Sequence, residues 1–445
     1  MRRRVVLGAL AIVIAFGGAL ATSGGGLRTA RATDANVVID WNGTMLATLA
    51  TANVPAAPAT RYAAIVQAAV FDAVNGIDRR YSPIHVAPAA PRGASREAAT
   101  ASAAYTALVS LFPAQKTTLD ADLAASIASI TENEDGDNRS IARGLQWGKT
   151  VADQIVAWRA TDGFTATPPP YEIGSAPGDW QPTPPAFATT PVFRTLATTT
   201  PFGMTSPSQF RPAGPPALTS ALYTADFNEV KAFGSATSTV RTPYQTETAK
   251  FWQLDTATAI WNRVADSLAL EHHMSLSTST RLLALLNVSQ ADAVIAVWDA
   301  KNTFNFWRPV TAITRAATDG NPDTSPDAGW ASLLTTPGHQ EYPSGHSGVS
   351  SAAATILASF FGERTAFSAT SNGVPGAVRS FTTFSASVAQ VADARVYAGF
   401  HFRFSCNEAA HMGAGIAKYE LATLMVRNHD GEGGSDNNNN EMSSN

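Results

Sequence analysis

Charge is scarce in this chain. Asp, Glu, Lys and Arg make up only 15% of its 445 residues, well below the usual quarter. A basic surplus is missing too. The formal net charge is -4, so the basic stripe that a nucleic acid or anionic membrane demands is absent. Cysteine is reduced to Cys406, which excludes an intrachain disulfide and a cysteine-rich zinc site. Cys406 reads as a half-buried small hydrophobe, because a reactive thiol needs exposure and a paired base. Beyond one N-terminal apolar run, no segment reads as long and apolar enough to span a bilayer. No repeat recurs at the spacing of solenoids. Sustained apolar–polar alternation is lacking, so strands should be few.

What the chain does have is apolar bulk, 45% of the sequence, enough for a large core. Residues 1–32 read as an export signal. Met1 to Arg4 form a positive start, Val5 to Ala21 an apolar run, and Ala19-Leu20-Ala21 and Ala30-Arg31-Ala32 offer small-residue cleavage patterns. This places the protein outside the cytoplasm, secreted or periplasmic, unless the segment is retained as an anchor. From about Asn36 the texture is helical. Helical faces are expected over Tyr62–Val74, Glu97–Leu111, Leu119–Ile130 and Ile141–Trp158, making 33–162 an N-terminal helical region. Residues 163–250 form a Pro-rich extended segment, richest in Pro between 163 and 218. Its aromatics, Tyr171, Trp180, Phe187, Phe193, Phe202 and Phe210, are too many for a solvated tether. An ordered wrap over the helices, rimming a site, is the expectation.

Helical faces return at Phe251–Glu271, Ser277–Ala300, Ser347–Phe361, Ala377–Ala394 and Asn407–Val426, with Gly362 placed as a C-cap. Residues 251–428 thus form a second helical bundle, and 429–445 a polar, disordered tail. The fold class is all-α, two bundles joined by an extended connection.

Three segments of the second bundle carry the chemistry. They are Trp298 to Pro309, containing Lys301 and Arg308; Tyr342-Pro343-Ser344-Gly345-His346; and Ala394 to His401, containing Arg395. Ser344, Gly345 and His346 fall at a helix N-terminus, where free amides and the helix dipole favour an anion. Gly345 admits close backbone approach, and Ser344 adds a hydroxyl. Lys301, Arg308 and Arg395 are cations set among apolar residues. Burying them without an anion costs several kcal/mol each, on the order of 5. Together they call for a multiply charged oxyanion, which arginine's planar fork suits. Pro309 should end a helix near Arg308. His401 follows Arg395 by about 240° of helical rotation, so Gly399 should break the path between them. A histidine there can serve as nucleophile, metal ligand or proton carrier.

These segments resemble the shared motif set of the vanadium haloperoxidases and type-2 phosphatidic acid phosphatases. Lys301, six residues, Arg308-Pro309 matches the first motif, and Pro343-Ser344-Gly345-His346 the second. Arg395, five residues, His401 matches the third, with Ala394 where serine is usual. The helical texture from about Asp34 and the stretch Arg241–Trp252 look like bacterial secreted haloperoxidase-like proteins. The resemblance implies an all-α fold with the site inside a helical bundle. It implies that Lys301, Arg308, Ser344, Gly345 and Arg395 hold the oxygens of vanadate, with phosphate as competitor. His401 would bind the metal, and His346 would act as acid–base residue toward hydrogen peroxide. Lys301 would assist catalysis. In the phosphatase branch His401 would instead attack phosphorus.

Trp298 resembles the aromatic that lines the halide site, and His339 matches a position that is His in bromoperoxidases and Phe in a chloroperoxidase. The expected function is vanadate-dependent oxidation of bromide or iodide to a hypohalous-acid equivalent, with a small organic acceptor. The alternatives are a soluble acid phosphatase acting through a phosphohistidine, and a non-catalytic oxyanion-binding protein. An integral-membrane role is not expected, and the sequence leaves a homo-oligomer open.

Other residues read as structural. His272-His273 is a helix-end pair without metal spacing. His411 reads as a satisfied histidine on an apolar helical face, and His85 and His429 as loop residues. Asp292 and Asp299, seven apart, share a helix face, where one could orient a cage cation or serve equally at the surface.

Overall fold

A computed structural model describes residues 36–133 and 138–428. The expected export signal, the expected tail and His429 lie outside them. Thirteen α-helices form the described chain. The first five are α1 (Asn36–Thr51), α2 (Ala56–Asp78), α3 (Arg96–Leu111), α4 (Lys116–Asn133) and α5 (Asn138–Ala160). After an extended passage come α6 (Ala221–Phe233), α7 (Pro243–Gln253), α8 (Ala257–Glu271), α9 (Leu276–Phe304) and the short α10 (Pro309–Thr314). The last three are α11 (Gly345–Phe361), α12 (Phe384–Tyr397) and α13 (Arg403–Thr423). Among the described residues the sheet is one antiparallel hairpin, β1 (Phe367–Thr370) and β2 (Val378–Phe381), with Phe367 opposite Phe381. The fold is all-α, as expected.

Helix starts follow their caps. Ser95, Ser220, Thr256, Ser275 and Thr383 each accept a backbone N–H with the side chain. Thr242 and Gln245 form a reciprocal capping box behind Pro243. Gly362 caps α11 at positive φ. The expected helix over Phe251–Glu271 is instead two helices, because Thr256 caps a new start. The first residues of the expected Ala377–Ala394 helix form β2, four residues whose alternate burial is too short to register as a period.

The long α9 lies at the centre. Its Leu282, Leu283, Val294 and Val297 join one apolar core with α8 and α11, while Val288 and Ala291 join a second with α2 and α3. The helix is long and apolar enough to cross a bilayer, contrary to expectation, but it is buried within the protein. Gly413 of α13 lies against Gly348 of α11, where a Cβ would collide with the Gly348 carbonyl. This close approach sets α11 against α13.

Residues 163–220 are largely extended and ordered. Trp180 and Leu196 are fully buried and Phe202 nearly so, whereas Phe187 stays 59% exposed. The wrap is tied to the end of α9: Trp180 N–H donates to the Asn305 carbonyl at 2.7 Å, and Trp307 N–H to that of Gly178 at 2.8 Å. The extended stretch ends sooner than residue 250, giving way to α6 and α7.

Candidate active site

Four helix ends meet. Lys301 lies in the last turn of α9, and Arg308 is the residue before α10, extended at φ -80°, ψ 156°, as Pro309 requires. Ser344 caps α11, with Gly345 and His346 in its first turn. Arg395 ends α12. Gly399, at φ +80° and pressed against Gly234 and Ser332, turns the chain so that His401 faces back. The expected break is therefore there.

The resulting cavity is about 300 Å³. Trp298, His339, Gly345, His346, Arg395 and His401 all line it. Lys301, Arg308 and Ser344 stand directly behind, with no solvent exposure. Arg308 ties the layers together. Its Nη1 lies 3.2 Å from His401 Nε2 and its Nη2 3.1 Å from His339 Nδ1, while Nε donates to the His339 carbonyl at 2.8 Å. Lys301 Nζ donates to the carbonyls of Gln340 and Glu341, both at 2.7 Å. Ser344 Oγ caps the helix by accepting from Ser347 N–H at 3.5 Å and also accepts the Ser347 hydroxyl at 3.1 Å; its own proton is still available to a ligand. A Cβ on Gly345 would meet Trp298 at an ordinary 3.5 Å, so the glycine keeps space open on the cavity side.

Glu341, which sequence reasoning missed, organises His401. Its Oε1 accepts from His401 Nδ1 at 2.8 Å and from Phe402 N–H at 3.0 Å. With Nδ1 carrying the proton, Nε2 is the unprotonated nitrogen, and it accepts from Arg308 Nη1 at 3.2 Å. The signal was faint: an acid immediately ahead of Tyr342-Pro343-Ser344, with its partner 60 residues on. Gln253, at the end of α7, was also missed; it accepts from Arg395 Nη1 at 2.5 Å. Asp292 and Asp299 touch no cage cation. Asp292 accepts three backbone N–H groups, from Phe202, Gly203 and Met204, and Asp299 pairs with Arg211. Both bind the extended wrap to α9, because the partners come from the aperiodic segment.

The electrostatics point one way. Burial drives His339, His346 and His401 well below the usual histidine range, with the neighbouring cations adding to it, so all three are neutral. Burial also pushes Lys301 well below its ordinary value, helped by Arg308. Burial raises Glu341 to about 7, against the pull of Lys301 and Arg308. Three cations face one carboxylate. Arg395 Nε and His346 Nε2 are buried without a hydrogen-bond partner. The unpaired Arg395 donor and the uncompensated charge in one cavity fit an oxyanion, and His401 Nε2, if it exchanged its Arg308 contact, would add a ligand for the anion's central atom.

The remaining histidines are elsewhere. His272 and His273 close α8 as expected, and His85 stacks on Trp158 at 4.5 Å. His411 is exposed on α13, not satisfied within an apolar face. Cys406 is fully buried, beyond the half-burial expected, and burial pushes its thiol up to about 12.

The fold and the site define an all-α protein that gathers buried cations and neutral imidazoles around one cavity. The chain is similar to the vanadium haloperoxidases: residues 281–429 match the VCPO second helical-bundle domain. The vanadium chloroperoxidase of Curvularia inaequalis is 30% identical over 167 residues, 30% of this chain and 27% of that protein. The chain thus matches only about a quarter of that relative's length. Among solved structures, the first bacterial vanadium-dependent iodoperoxidase superposes with a TM-score of 0.75 and 24% identity, over 88% of this chain and 97% of that one. An apo-type bacterial vanadium-dependent chloroperoxidase gives a TM-score of 0.64 and 18% identity, over 81% and 91%. These likenesses speak for the fold.

Proposed function

We propose that the protein is a vanadate-dependent haloperoxidase that oxidises iodide or bromide with hydrogen peroxide. The observation that carries this reading is the excess of buried positive charge around a cavity lined by His401, whose unprotonated Nε2 is held at 3.2 Å by Arg308 Nη1. Lys301, Arg308, Arg395, Ser344 and the Gly345 amide would hold the oxygens of vanadate, and His401 Nε2 would ligate the metal. When bound, vanadate supplies a Lewis acid that polarises peroxide. His346 is neutral, with Nε2 unpartnered at the cavity, so it can take the proton of incoming peroxide. Lys301, fixed by two carbonyls, presents its charge without moving. Trp298 and His339, ring centroids 5.0 Å apart, border the cavity where halide would enter. The histidine at 339 and the likeness to an iodoperoxidase support the heavier halides.

The same unprotonated Nε2 supports a second reading, a phosphatase in which His401 attacks phosphorus. The decisive test is peroxide- and halide-dependent halogenation of monochlorodimedone, with and without vanadate, beside hydrolysis of a phosphate monoester. We expect halogenation that depends on vanadate and no fast ester cleavage; rapid hydrolysis blocked by vanadate would replace the first reading with the second. Vanadate binding without either activity would leave a non-catalytic binding protein. His401→Ala is expected to lower turnover by at least about a thousandfold in either chemistry. We place the protein outside the cytoplasm, on the support of the basic, apolar and small-residue pattern of residues 1–32.

A further inference from the structure

A second cavity shares a wall with the first. It holds about 350 Å³, room for roughly ten water-sized groups at about 30 Å³ each. It runs between α1 and α8, with Ala59 of α2 closing one side, and Thr258 lines both cavities. Leu46, Leu49, Val54 and Ala59 give it apolar walls. Asp255, Arg263 and Asp266 supply its charge. Thr258 and Asp266 are eight residues apart on α8, so they stand about 12 Å from each other along the helix.

The charge in this cavity does not close. Arg263 is committed to one carboxylate: its Nη2 donates to Asp255 Oδ2 at 2.6 Å and to the Thr370 carbonyl at 2.9 Å. Asp255 is well supplied, since it also accepts the Asn372 N–H at 2.8 Å. Asp266 has no ion pair among the described residues. Both its oxygens accept from one group, the Asn42 amide, at 2.9 Å each. Gln67 holds that amide in place by donating to its oxygen at 2.8 Å. An asparagine at 266 would tie α1 to α8 equally well, so the tie needs no charge. Burial raises Asp266 to about 7 against the Asn42 bond and the pull of Arg263, with Asp40 adding to the rise. At the other end Thr258 is 1% exposed, and its buried hydroxyl has no hydrogen-bond partner. Buried polar groups normally find one.

We infer that this second cavity binds an elongated organic ammonium compound, with an apolar middle and a hydroxyl at the far end. The ammonium donates to Asp266, the middle covers Leu46, Leu49, Val54 and Ala59, and the hydroxyl pairs with Thr258. An ammonium brings three donors and the positive charge that the acid lacks. An uncharged alcohol can use the same walls but leaves the acid unbalanced. An anion meets two carboxylates and a cation that is already paired. The site owes nothing to the chemistry of the first cavity, and it stands whether that cavity serves a haloperoxidase or a phosphatase.

The test is titration calorimetry of the full chain at about pH 8, where an alkylamine keeps its proton. The probe is 6-aminohexan-1-ol, with hexan-1-ol, hexylamine and 6-hydroxyhexanoate as controls. The probe should bind at least about tenfold tighter than hexan-1-ol, and 6-hydroxyhexanoate should give no heat. Asp266→Asn keeps the Asn42 tie and should weaken the probe about 10- to 100-fold, the worth of a charged hydrogen bond, with hexan-1-ol unchanged. Thr258→Val keeps the shape and should weaken the probe about two- to tenfold, with hexylamine unchanged. Leu46→Trp, at a half-buried wall position, should fill the cavity and abolish binding. No heat from the probe, equal affinity for the probe and hexan-1-ol, or undiminished binding to Leu46→Trp would each overturn the inference. Should Asp266→Asn fail to fold, as urea unfolding would reveal, the comparison of ligands on the wild type still decides.

Discussion

The molecule buries two groups of cations, and they are built on opposite plans. Beneath the extended wrap, Arg61 Nε and Arg159 Nη2 converge on Asp162 at 2.7 and 2.8 Å. Arg159 also donates to the carbonyls of Thr200 and Pro201, and Asp292 accepts three amides from residues 202–204. The two cations share Asp162, and Asp292 adds a second negative charge that Arg159 feels through space, so charge closes within the chain. In the cage, Lys301, Arg308 and Arg395 bond carbonyls, ring nitrogens and Gln253, and the one carboxylate acting on Lys301 and Arg308 is Glu341. Burial of a cation among apolar residues is common to both, so it does not by itself announce a ligand. The difference is whether the protein supplies the counter-charge or leaves it to be supplied. The first plan holds a wrap in place, and the second makes a binding site at a standing cost in stability.

Breaking each plan should have opposite consequences. Asp162→Asn leaves Arg61 and Arg159 short of their shared anion and should destabilise the fold by about 3–5 kcal/mol, read by urea unfolding. Arg395→Met removes one of three mutually repelling cations, one whose Nε is already unpartnered. The ligand-free protein should then lose no stability by the same measurement. In return, vanadate at a hundredfold its Kd should stabilise the wild type by about 2.7 kcal/mol and the variant by little. Equal losses for the two variants would erase the distinction.

The cage was legible in the sequence because its cations carry distinctive neighbours: Pro309 after Arg308, a Ser-Gly-His turn before a helix, and Gly399 between Arg395 and His401. Its missing member, Glu341, has no period and no motif of its own, and its partner lies 60 residues away. Asp292 and Asp299 were correctly placed on one helix face, yet wrongly aimed. Helical spacing fixes a face, while what covers that face came from a Pro-rich stretch without periodicity. Arg61 and Arg159 passed unnoticed although they are as buried as the cage cations, because their match with Asp162 exists only in three dimensions. The hairpin at Val378–Phe381 was hidden by its brevity. Long, periodic helices and spaced motifs were readable, and tertiary pairings were not.

Glu341 sharpens the comparison from within the cage. Glu341→Gln removes a negative charge from a site that attracts anions, so simple electrostatics predicts tighter oxyanion binding. The tautomer argument predicts the reverse for vanadate alone, since the His401 lone pair becomes a poorer ligand. Vanadate affinity should therefore fall about 10- to 100-fold, while sulfate, which offers no vacant coordination position, binds no more weakly. Titration calorimetry with both anions separates the cases. A parallel loss for both would make Glu341 a purely structural prop, and Glu341→Asp should recover part of the vanadate affinity if the carboxylate itself matters.

The smallest effect is expected where charge is closed by sharing a proton. Glu420 is buried beside Asp292 and accepts the hydroxyl of Ser289. Burial and Asp292 hold Glu420 protonated well above the carboxylate range, while Asp292 keeps its three amide donors. The native state therefore binds a proton that the unfolded chain releases at its ordinary, lower value. The associated stability is complete in acid, below the unfolded pKa, and is lost as pH rises through the raised native one. Glu420→Gln keeps a donor toward Asp292 and has no proton to lose. Its Tm should fall less than that of the wild type between about pH 5 and about pH 9, followed by calorimetry in matched salt. Parallel slopes would mean that Glu420 is already ionised in the native protein, and the wrap would then be clamped beside two like charges rather than by a closed pair.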